Sequence, residues 1–205
     1  MATISIFGKG KRKTMATISI FGKGKMGKAI GDNFSSSGNK VNYILSNSSK
    51  TELGEIVVLA VPYVAIAGII QEYSTDLQGK IIIDITNPVD FTTFDSLLVP
   101  SDTSAAALIA KQLPNSMIVK AFNTTFSDTL ATKKVANEHQ TTVLLASDSQ
   151  EAKETIIKSL ENSGLSLLDA GSLKRARELE AIGFLQITLA ASEKISWDGG
   201  FGIFK

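Results

Sequence analysis

Three glycines in Gly22-Lys23-Gly24-Lys25-Met26-Gly27 follow an apolar, β-prone run, Thr17-Ile18-Ser19-Ile20-Phe21, and precede a helix-capable segment. Glycines at this spacing, placed at a strand-to-helix turn, point to a cradle for a dinucleotide pyrophosphate. In that reading Gly22 permits the tight turn, Gly24 lets the backbone approach the phosphates, and Gly27 lets the helix pack closely on the strand. Backbone N–H groups at the positive end of the helix are the anion's partners. Lys23, Lys25 and Met26 ride on the same turn and belong to the same candidate cofactor site.

A second group lies at the end of the next strand. In turns that read NAD, a carboxylate about 20 residues after the glycines takes the adenine ribose hydroxyls. Here no Asp or Glu occurs between Asp32 and Glu52, and the strand Val41–Leu45 runs instead into Ser46-Asn47-Ser48-Ser49-Lys50. Hydroxyls, an amide and an ammonium welcome a 2'-phosphate that a carboxylate would repel. Ser46, Asn47, Ser48 and Lys50 are therefore candidates for that phosphate, and NADP(H) is expected over NAD(H).

Composition removes other chemistries. The 205 residues contain no cysteine, which excludes disulfides, thiolate catalysis and cysteine-ligated metal. The single histidine, His139, sits in the polar stretch Asn137-Glu138-His139-Gln140 and reads as a solvated loop residue. No metal site is expected. A net charge of +1 gives no electrostatic case for nucleic acid or a membrane surface. The longest apolar run, Ile56 to Ile70, is interrupted by Pro62 and Gly68 and is too short to span a bilayer. The start lacks the pattern of a signal peptide, and a cytoplasmic protein is expected.

The elements that must position these groups alternate along the chain. Met1 to Lys11 and Met15 to Lys25 carry the same letters, but only the downstream copy continues into Gly27 and a helix. Residues 1–14 are read as a duplicated leader outside the fold, and residues 15–205 as one dinucleotide-binding domain with a C-terminal helical extension. Helix is expected from Met26 to Ser37, with Met26, Ile30 and Phe34 on one face. The link from Ser46 to the strand Glu55–Val61 is too short for a crossover helix. That strand is continuously apolar, as a parallel strand covered on both faces must be. Helix Tyr63–Tyr73, strand Lys80–Ile85, helix Ser104–Leu113 and strand Met117–Ala121 follow. A longer connection from Phe122 to Gln140, containing the Asn123-Thr124-Thr125 turn, leads to strand Thr142–Ala146, helix Gln150–Ser163 and strand Leu165–Leu168. Such alternation predicts an α/β, Rossmann-type doubly wound, mainly parallel sheet. Ligands bind beyond the carboxyl ends of its strands, where Gly22, Ser46, Pro62, Asn87 and Phe122 all fall.

The last helix, Leu173 to Ile195, presents Ala176, Leu179, Gly183, Gln186 and Ala190 on one face of small or apolar side chains, which leaves room for a homodimer. Its charged start, Lys174 to Glu180, reads as a solvated, salt-bridged face, with a role near the substrate as the alternative. The tail from Trp197 is too aromatic for a free end and is expected to pack back on the domain or on a partner subunit.

With these residues in place the chain resembles the deazaflavin (coenzyme F420)-dependent NADP oxidoreductase family, including the dinucleotide-binding domain of STEAP-type metalloreductases. The resemblance rests on Ile20 to Gly27, Leu59-Ala60-Val61-Pro62, Asp84-Ile85-Thr86-Asn87-Pro88 and Val119-Lys120-Ala121-Phe122-Asn123-Thr124. It implies that the glycine turn holds the pyrophosphate and that Ser46 and its neighbours hold the 2'-phosphate. Ala60, Val61, Pro62, Asn87 and Pro88 would line the nicotinamide end. The family often has arginine where this chain has Asn47, and Lys23, Lys25 or Lys50 are the candidate substitutes.

Hydride transfer asks little of protein side chains beyond alignment and exclusion of water. No tyrosine has a lysine four residues on, which disfavours short-chain dehydrogenase chemistry. The expected activity is NADPH-dependent reduction of a small-molecule redox acceptor, a deazaflavin (F420), a flavin or a related compound. Asn87, Pro88, Phe122 and Asn123 would frame the acceptor side. The alternative is a non-catalytic NADP(H)-binding redox sensor or docking module.

Overall fold

A computed structural model describes residues 15–204; the duplicated leader lies outside the described residues. The glycine turn joins β1 (Thr17–Phe21) to α1 (Lys25–Ser36), and β2 (Lys40–Ile44) follows. The next elements are β3 (Ile56–Leu59), a 3-10 turn at Tyr63–Ala65 leading into α2 (Ile66–Glu72), β4 (Ile81–Asp84), α3 (Ala105–Gln112) and β5 (Met117–Ala121). The second half adds α4 (Ser127–Thr132), a hairpin of β6 (Lys134–Val135) and β7 (His139–Gln140), β8 (Thr142–Ala146), α5 (Gln150–Ser159), β9 (Ser166–Gly171) and α6 (Ala176–Ala191).

Seven strands form one sheet in the order β2-β1-β3-β4-β5-β8-β9. Every neighbouring pair is parallel except β5 with β8. All four residues of β3 are buried. Because side chains alternate across a strand, Ile56 and Val58 enter one apolar layer with Ile30 and Phe34 of α1, while Val57 and Leu59 enter the other with Ile66 and Ile70 of α2 and Ile109 of α3. Two covered faces explain why strands of this chain read as unbroken apolar runs.

No helix lies between β2 and β3, in keeping with the short link. Three readings are corrected. The connection from Phe122 to Gln140 holds more than a turn: α4 and the β6–β7 hairpin lie within it. These were hidden because α4 has only six residues and each hairpin strand two, too few for a hydrophobic period to register. The hydroxyl of Thr129 accepts from the Phe126 N–H at 3.2 Å to start α4, and Lys133, with φ +65°, ends it. Likewise α5 stops at Ser159 and not Ser163, before left-handed Asn162 and Gly164. Helix α6 stops at Ala191 and not Ile195, before left-handed Glu193.

The tail folds back over α4 and the hairpin. The Trp197 ring meets that of Phe126 edge to face at 4.9 Å, the Asp198 carbonyl accepts from the Ala136 N–H, and Phe204 meets His139 at 4.8 Å. His139 is exposed and lies in a strand of the hairpin. Among the described residues no helix is long and apolar enough to cross a membrane.

Candidate functional site

The strand order places the chain's reversal of winding between β1 and β3, and the crevice beyond their carboxyl ends is where such sheets take ligands. The turns after these strands lean on each other. The Gly22 N–H donates to the Ile44 carbonyl at 3.0 Å and the Ala60 N–H to that of Phe21 at 2.9 Å. Gly22 has φ +92°, and a Cβ there would collide with the Ala60 carbonyl oxygen. A Cβ on Gly27 would stand 2.5 Å from the Gly22 carbonyl oxygen, whereas above Gly24 there is open space. No side chain caps α1 and its first turn holds no acidic residue, so the N-terminal N–H groups remain for an anion. The residues present thus fit a dinucleotide pyrophosphate. Gly22→Ala is expected to weaken NADPH binding by at least about tenfold, since the strain of a left-handed alanine, about 1–3 kcal/mol, falls on this turn. Isothermal titration would measure it; unchanged affinity would show that the turn does not hold the cofactor.

At the end of β2, Ser46, Asn47 and Ser48 are exposed, and the Ser48 hydroxyl closes the turn by accepting from the Leu45 N–H at 2.9 Å. The Lys23 ammonium stands 4.9 Å from the centre of the Tyr43 ring, on this side of the glycine turn. Lys50 is drawn elsewhere: it pairs with Asp76 at 2.7 Å and sits over the Tyr73 ring. Of the three candidate lysines, Lys23 is the one whose ammonium stands against β2, the strand that leads into the exposed serines.

A cleft of about 650 Å³ runs on from the turn. It brings together Gly24, Lys25, Met26 and Gly27 of the first motif, Ala60, Val61 and Pro62 of the second, and Asn87 and Asn123 from the loops after β4 and β5. Pro88 and Phe122 do not line it. Both are buried, and the Phe122 ring packs edge to face on Phe34 at 6.4 Å, within the core. The backbone of Phe122, with φ +64°, turns the chain, and its carbonyl accepts from the Thr125 N–H and hydroxyl. Its expected place on the acceptor side is therefore corrected: it shapes the loop, not the wall.

The two asparagines hold each other. Asn87 Nδ2 donates to the Asn123 carbonyl at 2.7 Å, and Asn123 Nδ2 donates to Asn87 Oδ1 and to the Leu179 carbonyl of α6, each at 2.8 Å. The Asn123 side-chain oxygen is buried without a protein partner.

Behind this wall lies an ionic cluster that sequence reasoning missed. The Lys120 ammonium, fully buried in β5, contacts Asp84 Oδ2 and Glu180 Oε1 at 2.8 Å each and donates to the Thr86 carbonyl at 2.5 Å. Asp84 Oδ1 in turn accepts from the Thr86 N–H and hydroxyl, which fixes the residue before Asn87. Glu180, expected on a solvated face, is 1% exposed and accepts from the N–H groups of Ala105 and Ala106 at the start of α3. Burial pushes its carboxyl above the ordinary range, and Lys120 opposes that rise. The available signal was Lys120 inside an apolar strand, because a lysine is buried only when paired. Tyr63, on the cleft wall, has its hydroxyl held above the usual phenol range by burial first and then by Glu180 and Asp84, so it stays a neutral donor.

Four aromatic rings complete the cleft: Phe91, Phe94, Phe126 and Trp197. None of them stood in a motif, and only the aromatic tail hinted at one.

Comparison with known proteins places this geometry. Residues 42–88 match the family model described as NADP oxidoreductase coenzyme F420-dependent. The F420-dependent NADP reductase of Methanocaldococcus jannaschii is 30% identical over 160 residues, 76% of this chain and 70% of that protein. The metalloreductase STEAP3 of Rattus norvegicus is 35% identical over 106 residues, 52% of this chain and 20% of its own length. Among solved structures, an Arthrobacter protein proposed to be an F420-dependent NADP-reductase superposes with a TM-score of 0.78 at 20% identity, covering 93% of this chain and 100% of its own, a likeness of fold. An imine reductase from Bacillus cereus shares the fold more distantly, with a TM-score of 0.60 at 14% identity, covering 88% of this chain and 63% of its own. The chain belongs to the coenzyme F420-dependent NADP oxidoreductase family.

Proposed function

We propose that this protein transfers hydride from NADPH to a deazaflavin, a flavin or a related small redox acceptor. The observation that carries the reading is the continuity of one cleft, from the uncapped start of α1 to an apolar wall beyond Asn87 and Asn123. One end suits a dinucleotide and the other leaves space for a second ring beside the nicotinamide.

The roles follow from position. The α1 N–H groups and the open face of Gly24 bind the pyrophosphate, and Ser46, Asn47 and Lys23 take the 2'-phosphate. Ala60, Val61 and Pro62 bear on the nicotinamide from β3, while the Asn87–Asn123 pair sets the opposite wall. The apolar lining excludes water, so that alignment of two rings is the main contribution of the protein. NADPH when bound supplies the hydride, and no side chain is required as nucleophile.

Isothermal titration with NADPH and NADH in parallel tests the cofactor assignment. NADPH is expected to bind at least about tenfold more tightly, the worth of one or two charge-assisted contacts to a phosphate. Equal affinities would remove the phosphate pocket, and binding of neither would remove the oxidoreductase reading for this site. Tight NADPH binding with no acceptor reduced would favour the sensor instead.

A further inference from the structure

A hydride carries two electrons and one hydrogen nucleus, so a proton must also reach the acceptor, and the cleft wall holds few groups able to give one. The side-chain hydroxyls that line it belong to Tyr63, Thr86, Thr125 and Ser127. Three have their proton committed. Thr86 donates to Asp84 Oδ1 at 2.8 Å, Thr125 to the Phe122 carbonyl at 2.7 Å, and Ser127 to Asp128 Oδ1 at 3.2 Å. The Tyr63 hydroxyl bonds to none of the described residues and stays open to solvent. The remaining polar groups do not replace it. The amides of Asn87 and Asn123 are engaged with each other and with Leu179, and Lys25 lies at the pyrophosphate end. The Asp128 carboxylate is an acceptor, and the Trp197 indole is a donor that does not give up its proton.

Placement agrees with this elimination. Tyr63 follows Ala60, Val61 and Pro62 directly, at the start of the 3-10 turn after β3. Its ring packs on the apolar layer that includes Ile66, Ile109 and Ala176, which fixes the ring and leaves its polar tip at the cleft. Its surroundings keep the proton in place. Burial holds the phenol above its ordinary value of 10.0, Glu180 from α6 and Asp84 from β4 add to the rise, and Lys120 from β5 opposes it. The turn itself, Pro62 to Ile66, carries no charge.

Resting on the reductase reading above, we infer that Tyr63 is the general acid of the reaction, the side chain whose proton completes reduction of the acceptor. In the step, the C4–H bond of the dihydronicotinamide breaks, and its hydrogen passes to the acceptor with the electron pair. The O–H bond of Tyr63 breaks, and its proton goes to the acceptor heteroatom on which the added electron density collects. Solvent, which reaches the hydroxyl, returns a proton to the phenolate. NADPH is oxidised to NADP⁺, the acceptor gains two electrons, and each turnover takes one proton from water.

The test compares the wild type with Tyr63→Phe, which keeps the packed ring and removes the hydroxyl, using coenzyme F420 and FMN as acceptors at saturating NADPH. A positioned general acid contributes about 100-fold or more, so kcat/KM for the acceptor is expected to fall by about 100-fold. Affinity for NADPH, from isothermal titration, is expected to stay within about threefold of wild type, which also shows that the variant folds. The acid must hold its proton to act. Wild-type kcat/KM is therefore expected to fall as pH rises through the Tyr63 value, above 10.0, and Tyr63→Phe to lose that alkaline limb. An ultraviolet difference titration of the enzyme saturated with NADP⁺ reads the phenol without turnover. The chain has three tyrosines, and Tyr63→Phe should remove one phenolate transition, the one whose midpoint matches the wild-type limb. A fall under about tenfold, a limb that persists in Tyr63→Phe, or a limb that does not follow the phenol overturns the inference and leaves the reductase reading intact. So does loss of NADPH affinity in the variant, which would make Tyr63 a residue that positions the cofactor. A wild type that binds NADPH and reduces neither acceptor overturns the reductase reading and this inference with it.

Discussion

Replacing Lys120 by methionine is expected to cost about 3–5 kcal/mol of folding stability, the usual penalty for removing one partner of a buried ion pair. Methionine matches the lysine stem in length, so what is lost is the ammonium and not the packing. It leaves the Asp84 and Glu180 carboxylates facing the same buried point with no cation between them. It also frees the Thr86 carbonyl, so the loop leading to Asn87 loosens together with the core. Urea unfolding of both proteins measures the difference, and a loss under about 1 kcal/mol would mean that water enters the site and solvates the carboxylates.

The same variant should acquire a pH dependence. Burial already raises the Glu180 carboxyl above its ordinary value of 4.5, and Lys120 is what opposes the rise. Without Lys120 the folded state holds the Glu180 proton more firmly than the unfolded chain does. A carboxyl raised in this way stabilises the fold below the unfolded value, and that contribution is lost as pH rises through the folded one. The cost of Lys120→Met is therefore expected to be larger at slightly alkaline pH than near pH 5. Adding Glu180→Gln should recover part of it and flatten the pH profile. A cost independent of pH would show that losing Lys120 does not change how firmly Glu180 holds its proton.

What could be read in the chain and what could not divides along a physical line. The fold was legible because β3 and β4 are buried on both faces, and they spell apolar runs, Ile56 to Leu59 and Ile81 to Ile83, bounded by turns. The phosphate turn was legible because its demands fall on backbone conformation, and only glycine meets them at Gly22. The aromatic wall was not, since Phe91, Phe94 and Trp197 lie in loops whose course is set by tertiary packing and not by a period. Phe122 was misplaced because its motif fixes the path of the backbone while the ring turns inward to Phe34. Glu180 was misplaced for a related reason. Among Lys174, Arg175, Arg177 and Glu178 it looks like one more surface charge, and only the meeting of α6 with β5 and α3 makes it a buried partner. Local letters do not record a contact between residues 60 apart in the chain, as Lys120 and Glu180 are.

That meeting of α6 with the site is tested most directly by Gly183→Ala. A methyl group there would run into the Asn87 side-chain oxygen and would stand 2.6 Å from its nitrogen and 2.7 Å from the Asn123 carbonyl. The helix has little freedom to retreat, because Glu180, one turn earlier, is tied to Lys120 and to the start of α3. The Asn87 amide must therefore swing away, and both bonds that pair it with Asn123 break. In an exposed helix the exchange would stabilise by up to about 1 kcal/mol through propensity. Here overpacking, about 1–3 kcal/mol, opposes that gain and leaves a modest net loss of stability. The larger effect falls on turnover. A wall displaced by about 1 Å costs on the order of 100-fold where the protein acts mainly by aligning two rings. The expected result is a fall of that size in kcat/KM for the acceptor, with NADPH affinity within about threefold of wild type, since the pyrophosphate turn lies at the other end of the cleft. Asn87→Ser combined with Gly183→Ala should relieve the clash and recover stability without recovering turnover, because serine is too short to rebuild the pair. Full activity in Gly183→Ala would show that the Asn87–Asn123 wall does not bear on the reacting rings.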